Sequence, residues 1–307
     1  MDHNKNQSTV VSIASKHLGQ VGGAGYSDQY DPSLLVAIPR YLNREAYGIK
    51  EESLPFIGLD VWNAYEVSAI TKKGLPVAGM LKIVCPADSP FHVESKSIKL
   101  YLNSFNMTAF GETAKECIEF IESQVSKDLT DLLQGEVTCK FFTSGDMHEY
   151  EFVEFTPLGA LVDLDAIEFT SFHSDATQLK IWEVKENVVV KKIESDLLRS
   201  NCRVTNQPDW GDVFISYVGS KTVTPESLLQ YIVSMRKENH FHEEICECIY
   251  KRLLDLLNPE EMMVTCLYTR SGGIDINPIR SKTFPYMIKN AQNAISAYII
   301  NKKTLRQ

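Results

Sequence analysis

The sequence predicts an α+β protein assembled from two related modules, and three observations predict it. Strand-like alternation and helix-like three- and four-residue periodicity both occur, and each half orders them as strand, strand, helix, helix, strand, strand. Two blocks of the first half recur in the second in the same order. Over 307 residues, 44% apolar and 23% charged side chains are the proportions of a globular chain that buries a sizeable core.

Up to about Asp31 the chain is polar and includes Gly22-Gly23-Ala24-Gly25. No strand precedes this cluster and no helix pattern follows it, so it is no dinucleotide fingerprint, and a mobile or loosely docked N-terminus is expected. Val61 to Ile70 and Leu75 to Val84 read as strands joined by a Lys72-Lys73-Gly74 turn. Glu94 to Phe105 reads as a short helix. Gly111 to Leu133 reads as a longer one, with Ala114, Ile118, Ile121, Val125, Leu129 and Leu132 on one stripe. Val137 to Thr143 and His148 to Phe155 read as strands around a Ser144-Gly145-Asp146 turn.

In the second half, Asp212 to Tyr217 alternates through Val213, Ile215 and Tyr217. Thr224-Pro225-Glu226 has the chemistry of a helix start: a capping hydroxyl, a proline at the first position and an early acid. A helix from Leu228 to about Lys237 follows. Another runs from His242 to Leu257, with Ile245, Ile249, Leu253 and Leu256 on one stripe. Val264 to Thr269 and Ile274 to Ile279 then flank Gly272-Gly273.

The recurring blocks are FGETAKECI (Phe110 to Ile118) with FHEEICECI (Phe241 to Ile249), and VTCKFFTSG (Val137 to Gly145) with VTCLYTRSG (Val264 to Gly272). Upstream, Val67-Ser68 and Gly74 align with Val204-Thr205 and Gly211. This alignment sets Cys202 opposite Tyr65, Asp209 opposite Lys72, and His242 opposite Gly111. Glu94 falls opposite Thr224 or Pro225. Structural residues should be shared between copies, whereas site residues can diverge once one composite site suffices. The first half therefore offers Glu94, Ser95 and Lys96, and the second offers Cys202, Asp209, His242 and Glu243.

A net charge of -9 argues against a nucleic-acid groove or a membrane-surface patch. No window holds eighteen uncharged apolar residues and the first residues lack an apolar signal segment, so neither a span nor secretion is expected. Seven cysteines without regular spacing fit a reducing cytoplasm better than a disulfide framework. No CxxC occurs, which speaks against a cysteine-rich zinc site.

The segment SNCRVTNQPDWGD, from Ser200 to Asp212, holds one thiol and, seven residues on, one carboxylate. Its polarity and Pro208 argue against a helix or a buried strand, and Pro208 to Gly211 has turn chemistry. Such a loop presents the Cys202 thiol and the Asp209 acid to one small volume. Most cysteines are inert core residues. Here the repeat favours function, because neither group is shared with the first copy.

Two motifs together resemble one family. ESKSIKLY (Glu94 to Tyr101) resembles the signature of the NADPH-dependent 7-cyano-7-deazaguanine reductases, and SNCRVTNQPDWGD resembles their catalytic segment. NHFHEE (Asn239 to Glu244) and YTRSGGIDINP (Tyr268 to Pro278) match later blocks of the same family. The resemblance spans both halves, as in the long, two-module form. It implies two tandem tunnelling-fold modules, each an antiparallel sheet with two helices on one face, over residues 1–170 and 171–307. It also implies reduction of a nitrile to an amine in queuosine biosynthesis, with two NADPH consumed.

By this resemblance Cys202 is the nucleophile that forms a thioimide with the nitrile, and Asp209 is the proton shuttle. A free thiol is only slightly ionised at neutral pH, so the thiol needs such a base. Glu94 and Glu243 bind the guanine-like ring, since a carboxylate accepts two adjacent N–H donors in parallel. Val93, Ser95, Phe241 and His242 lie beside the ring. Ser95, Lys96, Lys99, Arg270, Ser271 and Gly272 fall on the NADPH side, where phosphates need cations and backbone donors. The chain departs from the family at Ser271, where relatives often carry a second arginine, which bears on how the 2′-phosphate is held.

Two other readings remain at this point. One is a zinc-dependent purine hydrolase of the GTP cyclohydrolase I type, for which no convincing His/Cys ligand spacing occurs. The other is a non-catalytic purine binder, disfavoured because thiol, acid and ring-binding glutamates are all present. A homodimer in the cytoplasm is expected, with no metal, no nucleic acid and no membrane among its partners. The site should draw on both halves of one chain. Cys246 follows Glu243 by three residues, so on a helix it shares that face and is expected close enough to Cys202 for an oxidant to link them.

Overall fold

The computed structural model describes residues 9, 12–13, 27–143, 148–149, 152, 154–183, 188–301, 303–304 and 307. The Gly22–Gly25 cluster and the Ser144–Asp146 turn lie outside these residues. The first half runs β1 (Ala37–Pro39), α1 (Tyr41–Arg44), β2 (Ile57–Ile70), β3 (Pro76–Pro86), β4 (Phe91–Val93), α2 (Ser95–Asn103), α3 (Ala114–Leu133), β5 (Thr138–Phe142) and β6 (His148–Glu149). The second runs β7 (Thr156–Pro157), β8 (Ile181–Glu183), β9 (Val189–Asn201), β10 (Pro208–Gly219), β11 (Lys221–Val223), α4 (Pro225–Ser234), α5 (His242–Leu257), β12 (Glu261–Tyr268), β13 (Ile274–Ser281), α6 (Phe284–Ile295) and β14 (Ile300–Asn301).

The two halves do not form separate sheets. One eight-stranded sheet runs β5-β3-β2-β13-β12-β10-β9-β7, and its pairs are antiparallel except β7 with β9. The seam is β2 with β13, in register from Ile274 opposite Ala64 to Ser281 opposite Ile57. Side chains alternate across the sheet as a period of two requires. Trp62, Ala64, Leu81 and Ile83 pack under α2 and α3, and Val213, Ile215 and Tyr217 under α4 and α5. The intervening Val61, Val84 and Phe214 face the other side, where Met287, Ala291 and Ala294 of α6 cover them.

The helices form where the sequence signals say. Thr113 and Glu116 make a reciprocal capping box at the start of α3. Cys117, Ile121, Val125, Leu129 and Leu133 of that helix are buried at four-residue intervals. Each large apolar side chain so buried contributes roughly 1.5–3 kcal/mol. α4 begins at Pro225 with Thr224 accepting from the Ser227 N–H.

Beneath the helices an ion chain crosses the seam. Arg40 binds Asp60 at 2.6 Å, Asp60 binds Arg280 at 2.8 Å, and Glu247 binds both Arg280 and Arg44 at 2.9 Å. All five are buried. Burial alone would raise the Asp60 and Glu247 carboxyls, but the arginines hold both below their usual range.

Several expectations need correction. Pro208 to Gly211 is no turn: it begins β10, with Pro208 opposite Asn201 and Asp209 opposite Ser200. Proline is admissible there because it is the first residue of the strand. His148 to Phe155 is not one strand. Among the described residues only His148–Glu149 pairs, in parallel with β14, while Phe152 and Phe155 are buried against Phe214. β9 and α6 were not singled out by the periodicity. The repeat is also offset differently. Ile70 bridges Ala109 and Asn201 bridges Asn239 in the same way, an offset of 131 (201 less 70). This sets Thr71, not Tyr65, opposite Cys202.

Candidate active site

The hairpin between β9 and β10 places Cys202. Its N–H donates to the Gln207 carbonyl at 2.8 Å and its carbonyl accepts from the Asn206 N–H at 3.0 Å. Asn206 takes a positive φ of 57° to close the turn, which asparagine tolerates. The thiol is buried, 9% exposed, and reduced. Asp209, on the return strand, meets His242 Nε2 at 3.3 Å. His242 opens α5 and stacks on Tyr268, with ring centroids 3.9 Å apart and planes 8° apart.

These groups line one cleft. First-half residues Trp62, His92, Val93, Ser95 and Lys96 share it with Cys202, Asp209, Phe241, His242, Glu243 and Ser271. Residues from both halves of the chain thus line this cleft.

Glu243 is strongly perturbed in it. Burial, followed by the nearby Asp60 charge, pushes its carboxyl up to about 8, against the opposing pull of Arg40. Its Oε1 has no hydrogen-bond partner among the described residues. A buried acceptor left bare in this way is costly unless something else meets it. Glu94 is placed differently. It is the N-cap of α2, with Oε2 accepting from the Ser97 N–H at 2.7 Å. Burial raises its carboxyl, against the Lys96 and Ser97 backbone N–H groups. It lies between the lining residues Val93 and Ser95 without lining the cleft itself.

The residues expected on the cofactor side divide into three. Lys96 donates to Ser271 Oγ at 3.1 Å at the cleft. Lys99 lies in an adjoining hollow with Glu66, Gly272 and Gly273. Gly272 and Gly273 have φ of 63° and 79°, the two positive values of a tight β12–β13 turn. A Cβ on Gly272 would come within 2.7 Å of the Lys99 side chain. Arg270 is exposed, its guanidinium 3.7 Å from the centroid of Tyr65. Three cations therefore surround residues 270–273 beside the cleft, and this donor set fits a phosphate-bearing cofactor.

Among the described residues, no group of three or more His, Cys, Asp or Glu side chains is arranged to hold a metal ion. No helix there is long and apolar enough to cross a membrane. Cys246 does not reach the cleft. Its thiol points into the core, donating to the Val264 and Pro278 carbonyls at 3.5 Å each, so the face it shares with Glu243 in sequence is lost with depth. Sequence reasoning missed Trp62, His92, His240 and Ile276 as lining residues. His240 and Ile276 lie inside the motifs NHFHEE and YTRSGGIDINP, and His92 stands as an isolated polar residue in the strand leading to Glu94.

Comparison with known proteins adds the following. Residues 26–141 match the family described as "Nitrile reductase, 7-cyano-7-deazaguanine-reductase N-term", and residues 208–286 match "QueF-like protein". The NADPH-dependent 7-cyano-7-deazaguanine reductase of Cupriavidus metallidurans is 40% identical over 272 residues, covering 88% of this chain and 95% of that protein. The crystal structure of the archaeosine synthase QueF-Like in the apo form covers 33% of this chain and 100% of its own. Its identity is 19% and its TM-score 0.29, too low to bear on the fold.

Proposed function

This chain belongs to the 7-cyano-7-deazaguanine reductase family, NADPH-dependent nitrile reductases of the queuosine pathway, and from that premise we propose that Cys202 is its nucleophile. The observation that carries this is the meeting, in one cleft, of the Cys202 thiol, the Asp209–His242 pair and the bare Glu243 carboxyl.

Asp209 takes the thiol proton, and the sulfur attacks the nitrile carbon to form a C–S bond. Asp209 then delivers the proton to nitrogen, giving a thioimide, a far better hydride acceptor than a nitrile. His242, 3.3 Å away, holds the Asp209 carboxylate in place. NADPH, when bound, supplies hydride to the same carbon twice. The nitrogen takes a proton from Asp209, replenished from solvent, after each hydride, the first time giving a thiohemiaminal. Between the two deliveries Cys202 leaves with the C–S electrons, an N–H proton passes to Asp209, and an imine remains. The buried walls keep water from that imine. Glu243 and Glu94 bind the ring, flanked by Val93, Ser95, Phe241 and His242. Lys96, Lys99, Arg270, Ser271 and Gly272 hold the phosphates, with Lys96 reaching across Ser271 where relatives often have arginine.

Around this site the same reading gives two tunnelling-fold modules, 1–170 and 171–307, and a cytoplasmic homodimer. The open sheet edge at β5 supports association, since an unpaired strand can take a partner. Incubating the protein with the nitrile and no NADPH tests the mechanism. Intact mass should rise by one substrate, with the label on Cys202 after digestion. Turnover without any such adduct would overturn covalent catalysis.

A further inference from the structure

His92 lines the cleft beside Glu243, and the chemistry above does not use it. Its Nδ1 is 4.0 Å from Glu243 Oε1, too far for a hydrogen bond. Neither Glu243 Oε1 nor His92 Nε2 has a partner among the described residues, and both residues are buried. The Phe241 ring meets the imidazole edge-on, with centroids 4.9 Å apart, and fixes its plane. Burial and the Arg40 charge hold the imidazole well below its usual range, so it is neutral and offers one N–H. Its Nδ1 faces a carboxyl that burial keeps protonated up to about 8. The ring hydrogen is assigned to Nε2, the ring nitrogen without a partner among the described residues.

We propose that His92 is a specificity-determining residue whose Nε2–H donates to the carbonyl oxygen of the substrate ring. The inference rests on the nitrile-reductase reading and deepens it. Along a guanine-like edge, two adjacent N–H donors are followed by a carbonyl oxygen. Glu243 can accept from the donors but repels that oxygen, so a donor is needed next to Glu243, where His92 stands. His242 Nδ1 also lacks a partner among the described residues, but the Nε2 of that ring is turned to the Asp209 carboxylate. Further lining donors are engaged. His240 is held by Glu238, Glu244 and Arg203, and Lys96 by Ser271. Trp62 Nε1 is also bare and serves as the control.

The test measures binding of the nitrile, and of its analogue lacking the ring carbonyl oxygen, to Cys202→Ala protein, where no adduct forms. With His92 intact the analogue should bind about tenfold more weakly, the loss of one buried hydrogen bond. His92→Leu should bring the two affinities within about twofold, and His92→Gln, which keeps a donor, should restore most of the difference. Should the leucine variant not fold, His92→Phe keeps a ring without nitrogens and takes its place. Trp62→Phe should leave the ratio unchanged. An unchanged ratio in both apolar His92 variants overturns the inference, as does a collapse in Trp62→Phe. So does a His92 effect that follows the exocyclic amine instead of the carbonyl. Failure of the parent to bind the nitrile at all removes the nitrile-reductase reading and this inference with it.

Discussion

The two hairpin tips of the sheet are one device put to two uses. At β2–β3 the Thr71 N–H donates to the Leu75 carbonyl at 2.9 Å, and the Gly74 N–H returns to Thr71. At β9–β10 the Cys202 N–H donates to Gln207 and the Asn206 N–H returns to Cys202, with one more residue in the loop. The difference lies in the side chains. Thr71 Oγ1 closes its own turn by accepting from the Leu75 N–H at 3.1 Å. The thiol opposite it has no such duty and faces a cleft.

The helix entries repeat the lesson. Glu94 donates its N–H to Val36 and Thr224 to Lys180, and in each case the serine three residues on binds back to the cap and to the paired strand. Only the capping side chain changes, from a carboxylate at Glu94 to a hydroxyl at Thr224. The backbone device is kept in both copies, and chemistry enters at side chains that the device can spare.

That contrast can be broken in three places. Cys202→Ala should lower nitrile turnover by at least roughly a thousandfold, the scale of losing a nucleophile, while a melt shows the fold intact. Retained turnover would make the two tips equivalent after all.

Glu243 sharpens the contrast through pH. Its folded pKa is raised, so its contribution to stability is fully present below the usual carboxyl range and is lost as pH rises through about 8. The ligand-free protein should therefore lose stability over that window, and Glu243→Gln should flatten the loss. Because ring N–H donors favour the carboxylate, nitrile binding near neutral pH should release a fraction of a proton. Calorimetry in buffers of different ionisation enthalpy reads that release, and Glu243→Gln should abolish it.

The smallest effect belongs to Thr71→Ala. It should cost about 1 kcal/mol, the worth of one hydrogen bond, and leave turnover unchanged. A melting midpoint lowered by about 2–4 °C with full activity is the expected result. Loss of activity would show that the first tip also serves the site.

Much of this was legible in the sequence because it is local. Apolar periodicity marked α3 and α5, and cap chemistry marked α4. The candidate residues came from motif resemblance, and nine of the thirteen line the cleft. What was not legible depends on partners distant in sequence. Pro208 to Gly211 has turn residues, and only the pairing with β9 makes it a strand. His148 to Phe155 looks strand-like, but Phe152 and Phe155 are buried against Phe214. The Arg40–Asp60–Arg280–Glu247–Arg44 chain joins residues more than two hundred positions apart, and no spacing rule reaches that far.

The seam between β2 and β13 has a consequence for synthesis. The ribosome delivers β2 early, yet its partner ends at Ser281. At about 5–20 residues per second, the first half waits roughly ten to forty seconds with that edge bare. Pairing so remote in sequence is also slow once both strands exist. The newborn chain is therefore most exposed to wrong strand partners during that interval, and a stalled or truncated product would carry the same unpaired edge permanently.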